Sequence, residues 1–147
     1  IGVRPDGSIS DASITATTRD KVRKTVLSSL AAGDTIGDIQ RAILDMKNPA
    51  FNASRALRIA RTESTRSVNA AGVNAWEQMT DKAGVELALQ WKSQPGARDA
   101  HAELNNDLRG DDGYWHYDGA KAQFPGGFGV AALDINCRCT FYPTVKI

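Results

Sequence analysis

The run from Ser54 to Met79 constrains the fold more than any other part of this sequence. It contains one glycine and no proline, and it is rich in alanine, arginine and glutamate, which form helices readily. Mostly small residues return at helical spacing along one face, namely Leu57, Ala60, Ser64, Ser67 and Ala71. We therefore predict a long helix that packs closely against its neighbours.

Two shorter helices are predicted ahead of this run. Apolar residues recur at helical spacing within residues 18–32, and Gly33 follows as a C-terminal stop. Thr35 and Asp38 stand three residues apart, which is the spacing of an N-terminal capping box. The apolar stripe after them ends at Asn48-Pro49, because a residue before proline disfavours the helical conformation. The first half of the chain is thus predicted to be helical.

The sequence changes character after Gly84. Apolar and polar side chains alternate from Val85 to Trp91, which is typical of a strand. Short aromatic runs at residues 114–117 and 140–142 indicate further strands, and glycine and proline mark the loops around them. We predict an α+β fold, in which N-terminal helices including one long helix are followed by a small antiparallel sheet with long loops.

Length and composition indicate one domain. A chain of 147 residues with 41% hydrophobic and 24% charged positions has the profile of an ordinary soluble domain. We assign residues 15–147 to it, with a helical part at 15–83 and a loop-rich sheet part at 84–147. Residues 1–14 are rich in glycine, serine and aspartate and begin with Ile1, so we expect a flexible lead-in from a longer protein.

Net charge and hydropathy limit the expected partners. The formal charge of +1 gives no overall attraction to nucleic acid or anionic lipid, so such binding needs a local basic patch. No apolar run approaches the roughly 20 residues that span a bilayer. We therefore expect no membrane partner.

The segment Asn136-Cys137-Arg138-Cys139 is the sharpest chemical feature. Two thiols two residues apart on an extended segment point to the same side and could share one metal ion, with His101 as a third ligand. Sulfur and nitrogen ligands favour tetrahedral zinc. Candidates for a fourth ligand are His116, Asp99 and Glu103. The alternative is that the cysteines are two buried small residues or form a strained disulfide.

Charged residues near these positions suggest a wider cluster. Arg61 and Glu63 lie two residues apart on the predicted long helix, so they point in different directions and need other partners. Glu63 would pair with Arg98 or Arg138, or support His101, if it faced the loop-rich half; otherwise it is a solvated charge. His101 itself fits three roles, as metal ligand, general base or loop hydrogen bonder.

Arg55, Arg58 and Arg66 form a short basic stripe on the predicted long helix. They fall within roughly 80° of one another on a helix with 3.6 residues per turn. Such a stripe could meet DNA phosphates or an acidic partner. The alternative is an ordinary solvated face.

An ordered set of short motifs resembles the Mu F-like family of phage head proteins, in its C-terminal domain. The set comprises Ile59-Ala60-Arg61-Thr62-Glu63, Asn69, Gly72, Trp91-Lys92-Ser93, Arg98, His101, Pro125 and Asn136-Cys137-Arg138-Cys139. The resemblance covers about Ile14 to Tyr142. The stretch between His101 and Pro125 is longer than in the family pattern. His116 lies in this stretch, so the resemblance does not support it as a metal ligand.

The resemblance implies a minor capsid protein of a phage or prophage that assists head morphogenesis. The implied partners are other head proteins, such as portal or capsid, and in some relatives the packaged DNA. The implied location is the virion, and the host cytoplasm during assembly. Relatives of this kind are also joined to toxin domains in larger prophage proteins, where the domain serves delivery of the cargo.

Three hypotheses of function follow from the residues and the resemblance together. The leading one is a structural and interaction module of the phage head, with or without zinc. The alternative is an enzyme, a metal- or Cys/His-dependent hydrolase or nuclease of the toxin type, with His101 as general base and a cysteine as nucleophile or ligand. The small number of histidines and the lack of a paired-carboxylate motif count against an enzyme. The third is a DNA-binding module that uses the basic stripe.

Overall fold

The computed structural model describes residues 16–84 and 86–145, and within them it has five helices and four strands. In chain order these are α1 (Ala16–Ala31), α2 (Ile36–Leu44), α3 (Ala53–Ala83), β1 (Leu87–Lys92), α4 (Asp99–Leu104), β2 (Trp115–Tyr117), β3 (Ala120–Ala122), α5 (Ala131–Asp134) and β4 (Thr140–Val145). The predicted α+β fold and its long helix are confirmed. The predicted lead-in at 1–14 lies outside the described residues.

The helix boundaries follow from local chemistry. Gly33 takes a φ of 77° just after α1, a conformation that glycine adopts at helix ends without strain. The predicted capping box is present at α2. The Thr35 hydroxyl accepts from the Asp38 backbone N–H at 3.2 Å, and the Asp38 carboxylate accepts from the Thr35 N–H at 3.0 Å. Side chains therefore satisfy the backbone groups at the start of α2, and a glycine turn follows the end of α1.

The chain divides into two compact units, with the boundary inside α3 between Ser64 and Thr65. In the first unit α1, α2 and the start of α3 enclose a core of aliphatic residues and one aromatic ring. This core consists of Val22, Val26, Ile39, Ile43, Phe51, Ala56 and Ala60. Three small buried residues of α3 in this unit recur every four residues, namely Ala56, Ala60 and Ser64. Because they are small, the other helices can approach α3 closely.

The second unit contains two antiparallel sheets of two strands each, rather than one sheet. β1 pairs with β4 and β2 pairs with β3. Residues 106–109 also lie along the other edge of β1, where the Trp91 N–H donates to the Asp107 carbonyl at 2.9 Å and the Arg109 N–H to the Leu89 carbonyl at 2.8 Å. Gly72 of α3 allows β4 to approach, because a Cβ there would lie 3.0 Å from the Phe141 ring.

Two tryptophans form the centre of the second core. Trp91 and Trp115 meet edge to face, with ring centroids 5.5 Å apart. Their indole N–H groups donate to the Ser93 hydroxyl at 3.1 Å and to the Asp107 carbonyl at 2.9 Å, so the buried donors are satisfied. The remaining buried members are Val73, Leu89, Leu104, Ala122, Phe128, Cys137 and Cys139. The two cysteines are therefore part of this core.

None of the helices in the described part of the chain is both long enough and apolar enough to cross a membrane.

Candidate metal centre

His101, Cys137 and Cys139 come together in the second unit. One ligand atom from each lies within 4.8 Å of the other two. The His101 Nδ1 is 3.4 Å from the Cys139 Sγ. The residues are 2%, 1% and 2% exposed, respectively. The predicted association of the histidine with the cysteine pair is thus present, and these side chains could hold a metal ion.

His101 lies in the first turn of α4. His101 and Leu104 are the buried residues of this six-residue helix, and they lie on one face because they are three residues apart. The Ser93 hydroxyl donates to the His101 carbonyl, and the Ser93 N–H donates to the Asn105 side chain at 3.0 Å. Ser93, the residue after β1, therefore holds the middle and the C-terminal end of α4.

The segment after α5 places the cysteines. The Cys137 N–H donates to the Asp134 carbonyl at 3.1 Å, and Asn136 takes a φ of 57°, a left-handed conformation that asparagine tolerates. Cys137 and Cys139 are buried while Arg138 between them is exposed. This alternation places the two thiols on the same side, as the spacing predicted.

Two charged side chains fix α5 to its surroundings. The Arg98 guanidinium donates to the carbonyls of Ala132 and Ile135 at the end of α5. The Asp134 carboxylate accepts from the backbone N–H groups of Phe128 and Gly129 at 3.0 and 2.7 Å. Burial raises the pKa of Asp134 although these bonds act in the opposite direction. A helix of only four residues gains its fixed position from such contacts.

The two thiols differ in acidity. A hydrogen bond from the Cys137 thiol, with a further one from His101, lowers the pKa of Cys139 to about 4. The same hydrogen bond to Cys139, with burial, raises the pKa of Cys137. The arrangement therefore favours a thiolate at Cys139, the form of cysteine that binds metals.

The donor set and its spacing fit zinc. Bond lengths of about 2.0 Å to nitrogen and about 2.3 Å to sulfur place two ligand atoms about 3.5 Å apart in a tetrahedral site. The observed separation of 3.4 Å between His101 Nδ1 and Cys139 Sγ agrees with that value. Nδ1 is therefore the ring nitrogen placed to bind a metal ion, whereas Nε2 is buried without a hydrogen-bond partner among the described residues.

None of the predicted fourth ligands joins this group in the described residues. His116 is exposed, and its Nε2 lies 2.6 Å from the Asp112 carboxylate. Asp99 and Glu103 are exposed residues of α4, and Glu103 hydrogen-bonds with Tyr117. The suggestion that these side chains complete a four-residue site is therefore wrong within this part of the chain.

The other predicted cluster residues occupy different environments. Glu63 lies in the first unit, with its Oε2 3.6 Å from the Arg23 Nε. Arg61 is half-buried, whereas Asn136 and Arg138 are exposed. Arg98 contacts the segment that carries the cysteines. The sequence did not single out Arg23 as the neighbour of Glu63.

The predicted basic stripe is not uniformly exposed. Arg55 is 5% exposed, its Nη1 donates to the Ala50 carbonyl at 3.1 Å, and its guanidinium lies 5.8 Å from the centre of the Phe51 ring. Arg58 is exposed and Arg66 is half-buried. The stripe is corrected accordingly: Arg55 is bound within the protein because the turn before α3 folds against it.

Asn69 hydrogen-bonds with the segments around the candidate site, a role that the helical periodicity of the sequence did not reveal. It is 3% exposed, and its Nδ2 donates to the Pro125 carbonyl at 3.0 Å and to the Cys139 carbonyl at 2.8 Å. The side chain therefore joins α3 to the proline loop and to a candidate ligand. A polar residue among small residues on a predicted helix is the signal that marks it. Asp134 carries no comparable signal in the sequence.

Comparison with known proteins identifies the family. The chain is 30% identical over 121 residues to the NAD(+)--arginine ADP-ribosyltransferase EFV of Enterococcus faecalis, and the match covers 81% of this chain but 24% of that protein. No solved structure matches the chain. The family described as Phage Mu protein F like protein matches residues 20–142, a span that contains His101 and both cysteines. Because this match extends over most of the sequence, the resemblance is confirmed and the chain belongs to the Phage Mu protein F like family.

Proposed function

We propose that this chain is a head morphogenesis module of a phage or prophage, a minor capsid component that assists head assembly by binding other head proteins. Membership of the Phage Mu protein F like family carries the proposal. The geometry supports a structural role, because His101, Cys137 and Cys139 are buried in the second unit and have little access to a substrate. The proposed partners are portal or capsid proteins, and the proposed locations are the virion and, during assembly, the host cytoplasm.

Contact with packaged DNA is a weaker part of this proposal. Arg58 is the exposed member of the predicted arginine set, while Arg55 is held within the protein. A net charge of +1 supplies no general attraction to DNA. Any contact with the genome would therefore be local, and binding to head proteins is the more strongly supported activity.

A deletion in the phage or prophage that encodes this chain tests the proposal. Residues 15–147 are removed in frame, and the wild-type segment is supplied in trans as the control. We expect loss of DNA-filled heads in electron micrographs, recovery with the wild-type segment, and detection of the chain in purified virions by mass spectrometry. Normal numbers of filled heads, together with absence of the chain from virions, would contradict the proposal.

We further propose that His101, Cys137 and Cys139 hold a zinc ion that stabilises the second unit, with the fourth coordination position filled by a water molecule or by a ligand outside this group. The 3.4 Å separation of the His101 Nδ1 from the Cys139 Sγ and the convergence of three buried ligand atoms support it. Zinc would link α4 to the segment before β4, which lie far apart in sequence. A unit with short strands and long loops gains more from such a link than a unit with a large core does.

Elemental analysis of protein purified without chelator tests the zinc centre. We expect about one zinc per chain, as in single-ion structural sites, with loss of zinc and of free-thiol protection in Cys137→Ser and His101→Ala. His116→Ala is the matched control, since that histidine lies outside the group, and it should keep the metal. Wild-type protein without zinc, or a His101→Ala variant that keeps it, would remove this part of the proposal.

A second candidate function is enzymatic, as a metal- or Cys/His-dependent hydrolase or nuclease of the toxin type. Similarity to part of a protein named as an arginine ADP-ribosyltransferase favours an enzyme only in general, because that protein is a transferase and the match covers 24% of it. The test incubates zinc-loaded chain with DNA, RNA, or NAD⁺ and an arginine-containing acceptor. The head-module proposal predicts no turnover above that of Cys139→Ser. Turnover that disappears in this variant would favour the enzyme.

A further inference from the structure

Arg98 links the two segments that carry the candidate ligands. It is the N-cap residue of α4, yet its side chain makes no capping bond with that helix. Instead, the guanidinium reaches across 34 and 37 residues of sequence to the carbonyls of Ala132 and Ile135. These carbonyls belong to the last turn of α5, where a helix has acceptors without internal partners. The arginine therefore supplies two donors that α5 lacks.

The position of this contact relates it to the metal ligands. His101 follows Arg98 by three residues and lies in the first turn of α4, which the Arg98 carbonyl joins by accepting from the Ala102 N–H at 2.9 Å. Cys137 follows Ile135 by two residues and is held by a hydrogen bond to the Asp134 carbonyl. One side chain thus fixes the distance between the helix that carries the nitrogen ligand and the turn that carries a sulfur ligand.

The guanidinium supplies this link with a planar pair of donors, one for each carbonyl. A neutral side chain at position 98 would lose the charge as well as the two hydrogen bonds, whereas lysine would keep the charge but not the planar pair of donors.

We propose that Arg98 is the positioning residue of the metal centre, because it holds the turn before Cys137 against the helix that carries His101. The proposal rests on the zinc centre proposed above. Metal sites tolerate deviations of about 0.2 Å in ligand distance, so a small shift of α5 should weaken binding. Residues that orient ligands from outside the site typically change metal affinity about 10–100-fold when they are replaced.

The experiment measures zinc affinity by competition with a chromogenic chelator. The variants are Arg98→Gln and Arg98→Lys, and Arg138→Gln is the control, because it removes the same charge from an exposed residue between the two cysteines. We expect Arg98→Gln to bind zinc about 10–100-fold more weakly than wild type. Arg98→Lys should remain at least about tenfold weaker, because one ammonium cannot reproduce the paired donors. Arg138→Gln should stay within about threefold of wild type.

Two further measurements separate positioning from general stability. The cobalt(II) absorption spectrum reports ligand geometry, and it should change in Arg98→Lys but not in Arg138→Gln. Circular dichroism establishes that each variant is folded. If Arg98→Gln fails to fold, Arg98→Lys decides the question.

The outcomes distinguish the two proposals. Wild-type protein that binds no zinc refutes the metal centre and, with it, this role of Arg98. Wild-type protein that binds zinc, with Arg98→Lys of equal affinity and spectrum, refutes only the positioning role. A loss of affinity of equal size in Arg138→Gln would also refute it, because charge alone would then explain the effect.

Discussion

Replacement of Asn69 by alanine should destabilise the second unit strongly. The Asn69 side chain donates to the carbonyls of Pro125 and Cys139, and all three residues are buried. Alanine would leave both carbonyls without a donor. A buried polar group left without its partner costs about 1–3 kcal/mol, so the two together should lower the free energy of unfolding by about 2–6 kcal/mol.

Urea unfolding followed by tryptophan fluorescence measures this loss. The three tryptophans of the chain, Trp76, Trp91 and Trp115, all belong to the second unit, so the signal reports on that unit. With a slope of about 2 kcal/mol per molar urea, the unfolding midpoint should fall by about 1–3 M while the slope stays constant.

Two further variants show whether hydrogen bonds or lost volume cause the effect. Asn69→Asp keeps the size of the side chain but removes both N–H donors and directs a carboxylate at two carbonyls, so it should destabilise at least as much at neutral pH. Asn74→Ala changes an exposed asparagine of the same helix and should alter stability by less than about 0.5 kcal/mol. Equal midpoints for Asn69→Ala and Asn74→Ala would refute the reasoning.

Three other predictions concern single contacts. Burial raises the pKa of Asp134 in the folded protein above its ordinary value of 3.8, so ionisation of this carboxyl group opposes folding. The stability advantage of wild type over Asp134→Asn, measured by urea unfolding, should therefore be greatest in acid and shrink as pH rises through the folded pKa. An advantage that grows between pH 4 and 7 would contradict this. Gly37→Ala should raise the stability of the first unit by about 0.5–1 kcal/mol, since a Cβ there would have its nearest contact at 3.7 Å and alanine favours helix; circular dichroism melting measures it, and a lower melting temperature would contradict it. Arg55→Ala should lower the free energy of unfolding by about 1–3 kcal/mol in the same assay, because it leaves the Ala50 carbonyl without its donor. Arg58→Ala should have little effect. Equal losses of stability in the two variants would show that Arg55 is not the buried partner described above.

The helices α1, α2 and α3 could be predicted because local chemistry determines them, whereas the short helices α4 and α5 were not predicted in the loop-rich part. The capping box of Thr35 and Asp38 and the stop at Gly33 act over a few residues, and both stand where the sequence indicated. The sheets depend on distant pairing. β1 and β4 are separated by about half of the second unit's length, and residues 106–109 add to the free edge of β1 without an alternating pattern of their own. The positions of β1, β2 and β4 were therefore predictable, but β3 and the division into two sheets were not.

The candidate site shows the same limit at the level of side chains. Cys137 and Cys139 share a side because alternation along an extended segment is a local property. The bonds from Arg98 and Asp134 are directed at backbone groups that every residue possesses, so the sequence contains no partner type to match. The prediction that Arg55 belongs to an exposed basic stripe was wrong for a similar reason, because its acceptor is the Ala50 carbonyl rather than a charged side chain.

The position of the cysteines in the core explains why a metal and the core would depend on each other. Cys137 and Cys139 belong to the same buried cluster as Trp91, and His101 lies 5.7 Å from the Trp91 ring. This cluster contains a cysteine whose lowered pKa favours the thiolate, and a charged group is costly to bury without a partner. A bound cation would neutralise the thiolate and use ligand atoms that the apolar core cannot satisfy. Because α4 and the neighbouring α5 are short, we expect contacts from outside these helices to keep the ligand atoms in place, namely those of Arg98 with the α5 carbonyls and of Asn69 with the Cys139 carbonyl.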